Sequence, residues 1–154
     1  MNRRNCLKGI GSTGALAAAV AVGLLKPDDV LAAEWNKTAF DAKDLASAVK
    51  SVGGAAAIVS KDLLIEAPDI AENGAVTPVE VISKIPNTTS ISIFVEKNPA
   101  PLSVHVDFAN GALPEVSVRL KMGHTSVIKA VAKADGKFYS ATREIKVTAG
   151  GCGG

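Results

Sequence analysis

Among the residues whose chemistry could do work, one cysteine stands out by its setting. Cys152 sits between two glycine pairs, Gly150-Gly151 and Gly153-Gly154, in the closing stretch TAGGCGG. A structural thiol needs a packed neighbourhood, and glycine supplies none. The only other cysteine, Cys6, lies near the opposite end of the 154 residues. Nothing in the tail favours the thiolate: the nearest cation, Lys146, is six residues away, and the terminal carboxylate is two residues away. A self-sufficient thiol enzyme lowers its thiol pKa with a basic neighbour or a helix N-terminus. The glycines do something else. They leave a thin, pliable strip of backbone around the sulfur, and four residues from Thr148 let it stand about 13 Å beyond that residue. Such a strip can enter narrow pockets and be held there by main-chain hydrogen bonds. The residues describe a swinging arm whose sulfur is worked on by other proteins.

The remaining candidates are weaker. His105 lies between Val104 and Val106 on the polar phase of an alternating run, as a solvated or cross-strand residue would. His124 lies in the turn MGHTS, where a histidine faces solvent. Two histidines on separate elements with no cysteine near either do not make a metal site. Asp69, Glu72, Asp107 and Glu115 are dispersed and specify no acid–base pair. The stretch APDIAENGAV reads as an ordered turn, its Asn73-Gly74 suited to positive backbone angles. There is no metal-spaced Cys/His cluster, no Cys-x-x-Cys-His and no glycine-rich phosphate loop.

The first residues read as an address. Arg3, Arg4 and Lys8 form a basic start, Ile10 to Leu25 an uncharged Ala/Gly-rich stretch, and Val30-Leu31-Ala32 the processing site. The apolar stretch is shorter than the roughly 20 residues of a spanning helix. A cleaved export signal is therefore expected over 1–33, cut after Ala32 or Ala33, and no membrane anchor in the mature form. Arg3-Arg4 followed by Leu7 and Lys8 resembles the twin-arginine signal. Asn2 and Cys6 stand where that pattern usually has Ser or Thr and Phe. This route carries folded cargo, so a chain without cofactor motifs is expected to leave with a partner already bound. The expected destination is the periplasm.

Of 17 Lys and Arg, four fall in the first 32 residues, and of 15 Asp and Glu, two do. The mature chain is thus near neutral and lacks the basic, aromatic-laced patch of a nucleic-acid binder. About 122 residues suffice for one domain with a core. Its single cysteine, in an oxidising compartment, must be hidden, paired with another chain, or used.

The elements that must hold the arm are mostly strands. TAFDAKDLASAVKSVGG predicts one opening helix, with Thr38 and Asp41 near capping-box spacing, Phe40, Leu45, Ala46 and Val49 on one face, and Gly53-Gly54 at its end. Seven alternating runs follow: KDLLIEAP, VTPVEVIS, TSISIFVE, LSVHVDFA, EVSVRLKM, SVIKAVAKA and KFYSATREIKVT. Pro78 favours an edge position for the second. In the third, Phe94 faces away from Ile91, Ile93 and Val95; in the fourth, Leu102, Val104, Val106 and Phe108 share one phase. Asn73-Gly74, Asn98-Pro99, Asn110-Gly111 and Asp135-Gly136 mark turns, the last a hairpin. The pattern predicts an all-β fold with one N-terminal helix. It is an antiparallel, immunoglobulin-like sandwich of about seven strands over 34–148, followed by a flexible Gly-Gly-Cys-Gly-Gly arm over 149–154.

With these residues in hand, the chain resembles the SoxY family, sulfur-carrier subunits of the periplasmic thiosulfate-oxidising system. The likeness rests on the twin-arginine signal, the opening helix, PDIAENGAVTPVEV, KNPAP and GGCGG. It implies covalent sulfur attachment at Cys152, as thiosulfonate or persulfide, with no cofactor and no catalysis by the carrier itself. It also implies a heterodimer with a SoxZ-type β-sandwich subunit that lacks its own signal. A c-type cytochrome pair would attach thiosulfate, a hydrolase would release sulfate, and in some systems a sulfane dehydrogenase would oxidise the remaining sulfur. Three other readings stay open: a similar thiol carrier in another periplasmic pathway, an exported module whose Cys152 forms one fixed disulfide, and an independent thiol enzyme.

Overall fold

The computed structural model describes residues 36–109 and 111–148. The expected signal, including Arg3 and Arg4, Asn110 of an expected turn, and Gly150, Gly151, Cys152, Gly153 and Gly154 of the expected arm lie outside them.

The opening helix is broken into two. Helix α1 spans Lys37–Asp41 and α2 spans Leu45–Ser51. Each has its own N-cap: Asn36 accepts from the Ala39 N–H, and Asp44 from the Ser47 N–H. Thr38 is thus not the cap; a stronger capping residue stands two positions earlier. Ala42, at φ −59° and ψ 136°, interrupts the helical path. This changes the buried set to Ala39, Ala48 and Val49, with Phe40 and Leu45 packed at the margin and Ala46 in solvent. Gly53 ends α2 as expected, at φ +84°.

All seven runs form strands, and two short ones join them. In chain order these are β1 Ile58–Val59, β2 Leu63–Glu66, β3 Ile70–Ala71, β4 Thr77–Ser83, β5 Thr88–Val95, β6 Leu102–Asp107, β7 Glu115–Leu120, β8 Ser126–Ala134 and β9 Lys137–Val147. They form two sheets, one ordered β1-β9-β8-β5-β6 with β3 also on β9, the other ordered β2-β4-β7. The long strands pair antiparallel, while β1 and β3 run parallel to β9. Two-residue strands show no alternation, which is why the sequence does not announce them.

The larger sheet is covered on both faces. Ile91, Ile93, Val95, Ile128, Ala130, Ala132 and Ile145 meet Leu63, Ile65, Val79, Val81, Val116 and Leu120 of the smaller sheet. On the other face, Phe94, Val131 and Leu102 meet Ala39, Ala48 and Val49 of the helices. Phe94 faces away from its neighbours as predicted. Leu102 does not share the phase of Val104 and Val106. Ile93 pairs with Val104 but Phe94 with Leu102, so a bulge at Ser103 moves Leu102 to the helix side.

Pro78 lies in the central strand of the smaller sheet, against the edge expectation. The conflict is local: β2 reaches only to the Glu66–Glu80 pair, so at Pro78 the strand has one neighbour, β7. No donor is missed there. Val76 precedes β4 and is half exposed. Asp135 and Gly136 both take positive φ, at 48° and 72°, in the predicted hairpin between β8 and β9. Asn87, at φ 56°, supplies a turn the sequence does not signal. Among the described residues no helix is long and apolar enough to cross a membrane.

Candidate functional site

The described residues end at Thr148, and the exit of the chain from β9 is held from two sides. The Val147 N–H donates to Thr125 Oγ1 at 3.0 Å. The Thr148 N–H donates to the Ala71 carbonyl at 3.2 Å, and its hydroxyl to the Glu72 carbonyl at 3.3 Å. Gly74 completes the seat. Its φ is not positive; only Gly53, Gly111 and Gly136 take that conformation among the described glycines. A Cβ at Gly74 would stand 2.3 Å from the Met122 carbonyl oxygen and 2.7 Å from Val147 Cγ1. The Asn73-Gly74 expectation is thus corrected. The glycine permits a close backbone approach, sealed by the Met122 N–H donating to the Gly74 carbonyl at 2.6 Å. The PDIAENGAV stretch is thus the seat of the end of β9, with which its β3 pairs.

Beside this exit lies a groove of about 550 Å³, lined by Lys97, Asn98 and Pro99 from the β5–β6 connection and by Lys121, Gly123 and His124 from the β7–β8 connection. Asn98 Nδ2 donates to the Lys121 carbonyl at 2.8 Å and ties the two connections together. Both lysines and His124 are exposed. No alternation or spacing links Lys97 to Lys121; their shared clue is a pair of lysine-bearing turns, which only the sheet order brings to one end.

His105 has the cross-strand role its phase suggests. It pairs with Ser92, whose Oγ is 2.8 Å from His105 Nδ1, and its Nε2 is 3.6 Å from Asp107 Oδ2. The order serine, histidine, aspartate invites comparison with a hydrolytic triad. Ser92, however, is 2% exposed, so its hydroxyl cannot meet a substrate. His124 is the exposed turn residue expected, on the β7–β8 connection. The carboxylates remain dispersed. Asp69 pairs with Arg143 Nη2 at 2.9 Å, while Arg143 Nη1 donates to the Ile65 carbonyl and so joins β9 to β2. Glu115 shares the outer face of the smaller sheet with Glu80 and Glu66. A hydrogen bond with Glu115, then desolvation and the charges of Glu115 and Glu66, hold Glu80 above the usual carboxylate range. Among the described residues, no group of three or more His, Cys, Asp or Glu side chains could hold a metal ion.

Comparison with known proteins adds the family. The family model described as "Sulfur oxidation protein SoxY" matches residues 49–152, and so reaches Cys152. A solved structure of the sulfur carrier protein SoxY from Chlorobium limicola f thiosulfatophilum is 42% identical at a TM-score of 0.63, covering 69% of this chain and 97% of that one. A chain in a solved structure on T cell specificity and activation by the bacterial superantigen toxic shock syndrome toxin-1 is 11% identical at a TM-score of 0.40, covering 56% of this chain and 99% of that one. Curated proteins yield no match. The family match runs from within α2 through both sheets to the cysteine between the glycines. The chain belongs to the SoxY family of sulfur oxidation proteins.

Proposed function

We propose that this chain is the covalent carrier of a periplasmic thiosulfate-oxidising system, with Cys152 as the attachment point and residues 149–154 as the arm. One observation carries the reading: the family match extends to Cys152, the cysteine that composition and spacing single out. The similar Chlorobium protein, which is named a sulfur carrier, supports it. The body's part is to hold the root of the arm, through Thr125, Ala71, Glu72 and Gly74, while leaving the glycines beyond it to move among partners.

The chemistry balances on that one sulfur. On attachment, a bond forms between the Cys152 sulfur and the sulfane sulfur of thiosulfate. The thiol gives up its proton, and two electrons pass to a c-type cytochrome pair. Hydrolysis then breaks the bond between the sulfane sulfur and the sulfonate sulfur. Water supplies the fourth oxygen of the departing sulfate, and a persulfide stays on Cys152. A sulfane dehydrogenase, where present, takes the oxidation further. Each step belongs to a partner enzyme, which is why the thiol needs no activating neighbour of its own.

Export by the twin-arginine route with a SoxZ-type subunit already bound completes the reading. The exposed side chains of Ile58, Val59 and Ile70, at 59%, 82% and 55%, lie along the β1–β3 edge of the larger sheet, the kind of surface a bound subunit would cover.

The test is the mass of Cys152 in protein taken from cells oxidising thiosulfate, without reductant. Added thiosulfonate or sulfane sulfur, removable by a thiol, is the expected result. Cys152→Ser should assemble with its partner normally and abolish sulfur turnover. An unmodified thiol during active oxidation, or a single stable mixed disulfide, would replace the carrier reading with the fixed-disulfide one.

A further inference from the structure

The groove formed by Lys97, Asn98, Pro99, Lys121, Gly123 and His124 has no carboxylate in its lining. It also sits at the arm's root. Met122, between Lys121 and Gly123 in sequence, donates its N–H to Gly74, and Gly74 lies against Val147. Thr125, next to His124, accepts from the Val147 N–H. The groove wall is therefore one residue removed from the strand end that launches the arm. From Thr148, four residues reach about 13 Å, enough to fold back over this wall. Glycine on both sides of Cys152 allows the reversal without side-chain clashes.

The cargo supplies the complementary charge. A thiosulfonate on Cys152 ends in a sulfonate anion, whereas the free thiol is neutral in its protonated form. Lys97 and Lys121 present two ammonium groups and His124 a ring N–H donor at the place where the loaded tip can return. We infer that this groove is the resting dock of the chain's own arm in its sulfonate-loaded state. The occupant is the segment 149–154 with its anion. This rests on the carrier reading and adds a regulatory step to it: the loaded arm is held on its own body until a partner competes for it. Because the lysines are exposed, the dock is weak and salt-sensitive, with the charges largely screened beyond about 8 Å at physiological ionic strength. Weakness suits a cargo that has to be surrendered.

The experiment uses the mature full-length chain with its natural partner subunit, loaded in vitro. Tetrathionate reacts with the Cys152 thiolate, forming the new S–S bond and releasing thiosulfate. A methyl disulfide on the same sulfur, made with methyl methanethiosulfonate, is the neutral control. The rate at which dithiothreitol regenerates the free thiol is measured for both adducts, in wild type and in Lys97→Gln/Lys121→Gln. The expected result is a sulfonate adduct cleaved at least about threefold faster in the variant, at low salt, after correction by the neutral adduct. High salt should bring wild type to the variant's rate. Amide signals of Gly123 and His124 should move on sulfonate loading and not on formation of the methyl disulfide.

Equal corrected rates, or unmoved signals, overturn the dock. If the variant instead slows turnover by partner enzymes while the corrected rates stay equal, the groove is a partner contact and the inference is also overturned. Because loading is done with purified reagent, these outcomes are independent of the mass found on Cys152 in cells. A failure of the carrier reading and a failure of the dock are thus told apart.

Discussion

At the scale of single residues, two positions, one between β3 and β4 and one at the start of β4, carry opposite consequences. Thr77 is fully buried at the start of β4, and its hydroxyl has no hydrogen-bond partner. A buried hydroxyl without a partner costs about 1–3 kcal/mol. Thr77→Val keeps the shape and removes the unmet group, so it should stabilise the fold by about 1 kcal/mol in denaturant titration. Gly74→Ala has the reverse effect, because its Cβ would meet the backbone oxygen of Met122, which cannot swing aside. A loss of about 1–3 kcal/mol is expected in the same titration. The displaced Val147 should also alter the amide signals of the residues that follow it. Cys152 is legible from sequence because its setting is local: glycines on both sides and no cation nearby are facts of spacing alone. Lys97 and Lys121 are not legible as a pair, since Asn98 and Lys121, 23 positions apart, are joined by a hydrogen bond only after two sheets form.

At the scale of elements, the smaller sheet carries a pH dependence. Glu80 stands directly across from Glu66 and diagonally from Glu115, and its carboxyl is raised above the ordinary value. A raised folded-state pKa gives stability that is full below the unfolded value and lost as pH rises through the folded one. Glu80→Gln should therefore raise the melting temperature near about pH 7, and this gain should vanish below about pH 4, where the wild-type carboxyl is protonated. Asp44 has the opposite sign. Its carboxylate, held below the usual range by hydrogen bonds from Ser47, stabilises α2 above its unfolded pKa and loses that effect as pH falls through the folded one. The strands themselves are readable because alternation is written into the chain at a period of two. The bulge at Ser103 and the break at Ala42 are not, because neither changes composition. Each is set by what the neighbouring sheet or helix requires.

At the scale of the whole molecule, the edge formed by β1 and β3 is the test of assembly. Ile58→Lys/Val59→Lys replaces two exposed apolar side chains, so the isolated chain should keep its melting temperature within about 5 °C, as surface changes usually do. The proposed partner subunit should be lost or reduced on co-purification. Unchanged recovery of the partner would move the interface elsewhere. What the amino-acid order determined by itself was an inventory: seven alternating strands, the Asp135-Gly136 hairpin, and one sulfur set between glycines at the end of the chain. These depend on local chemistry, where backbone propensity and spacing suffice. Only the tertiary structure decided that the larger sheet is covered on both faces and that β3 lies parallel to β9 as part of the seat of its last residues. It alone joined two lysine-bearing turns beside that seat. Such features are contacts between residues far apart in the chain, and no local period encodes which strand will lie next to which.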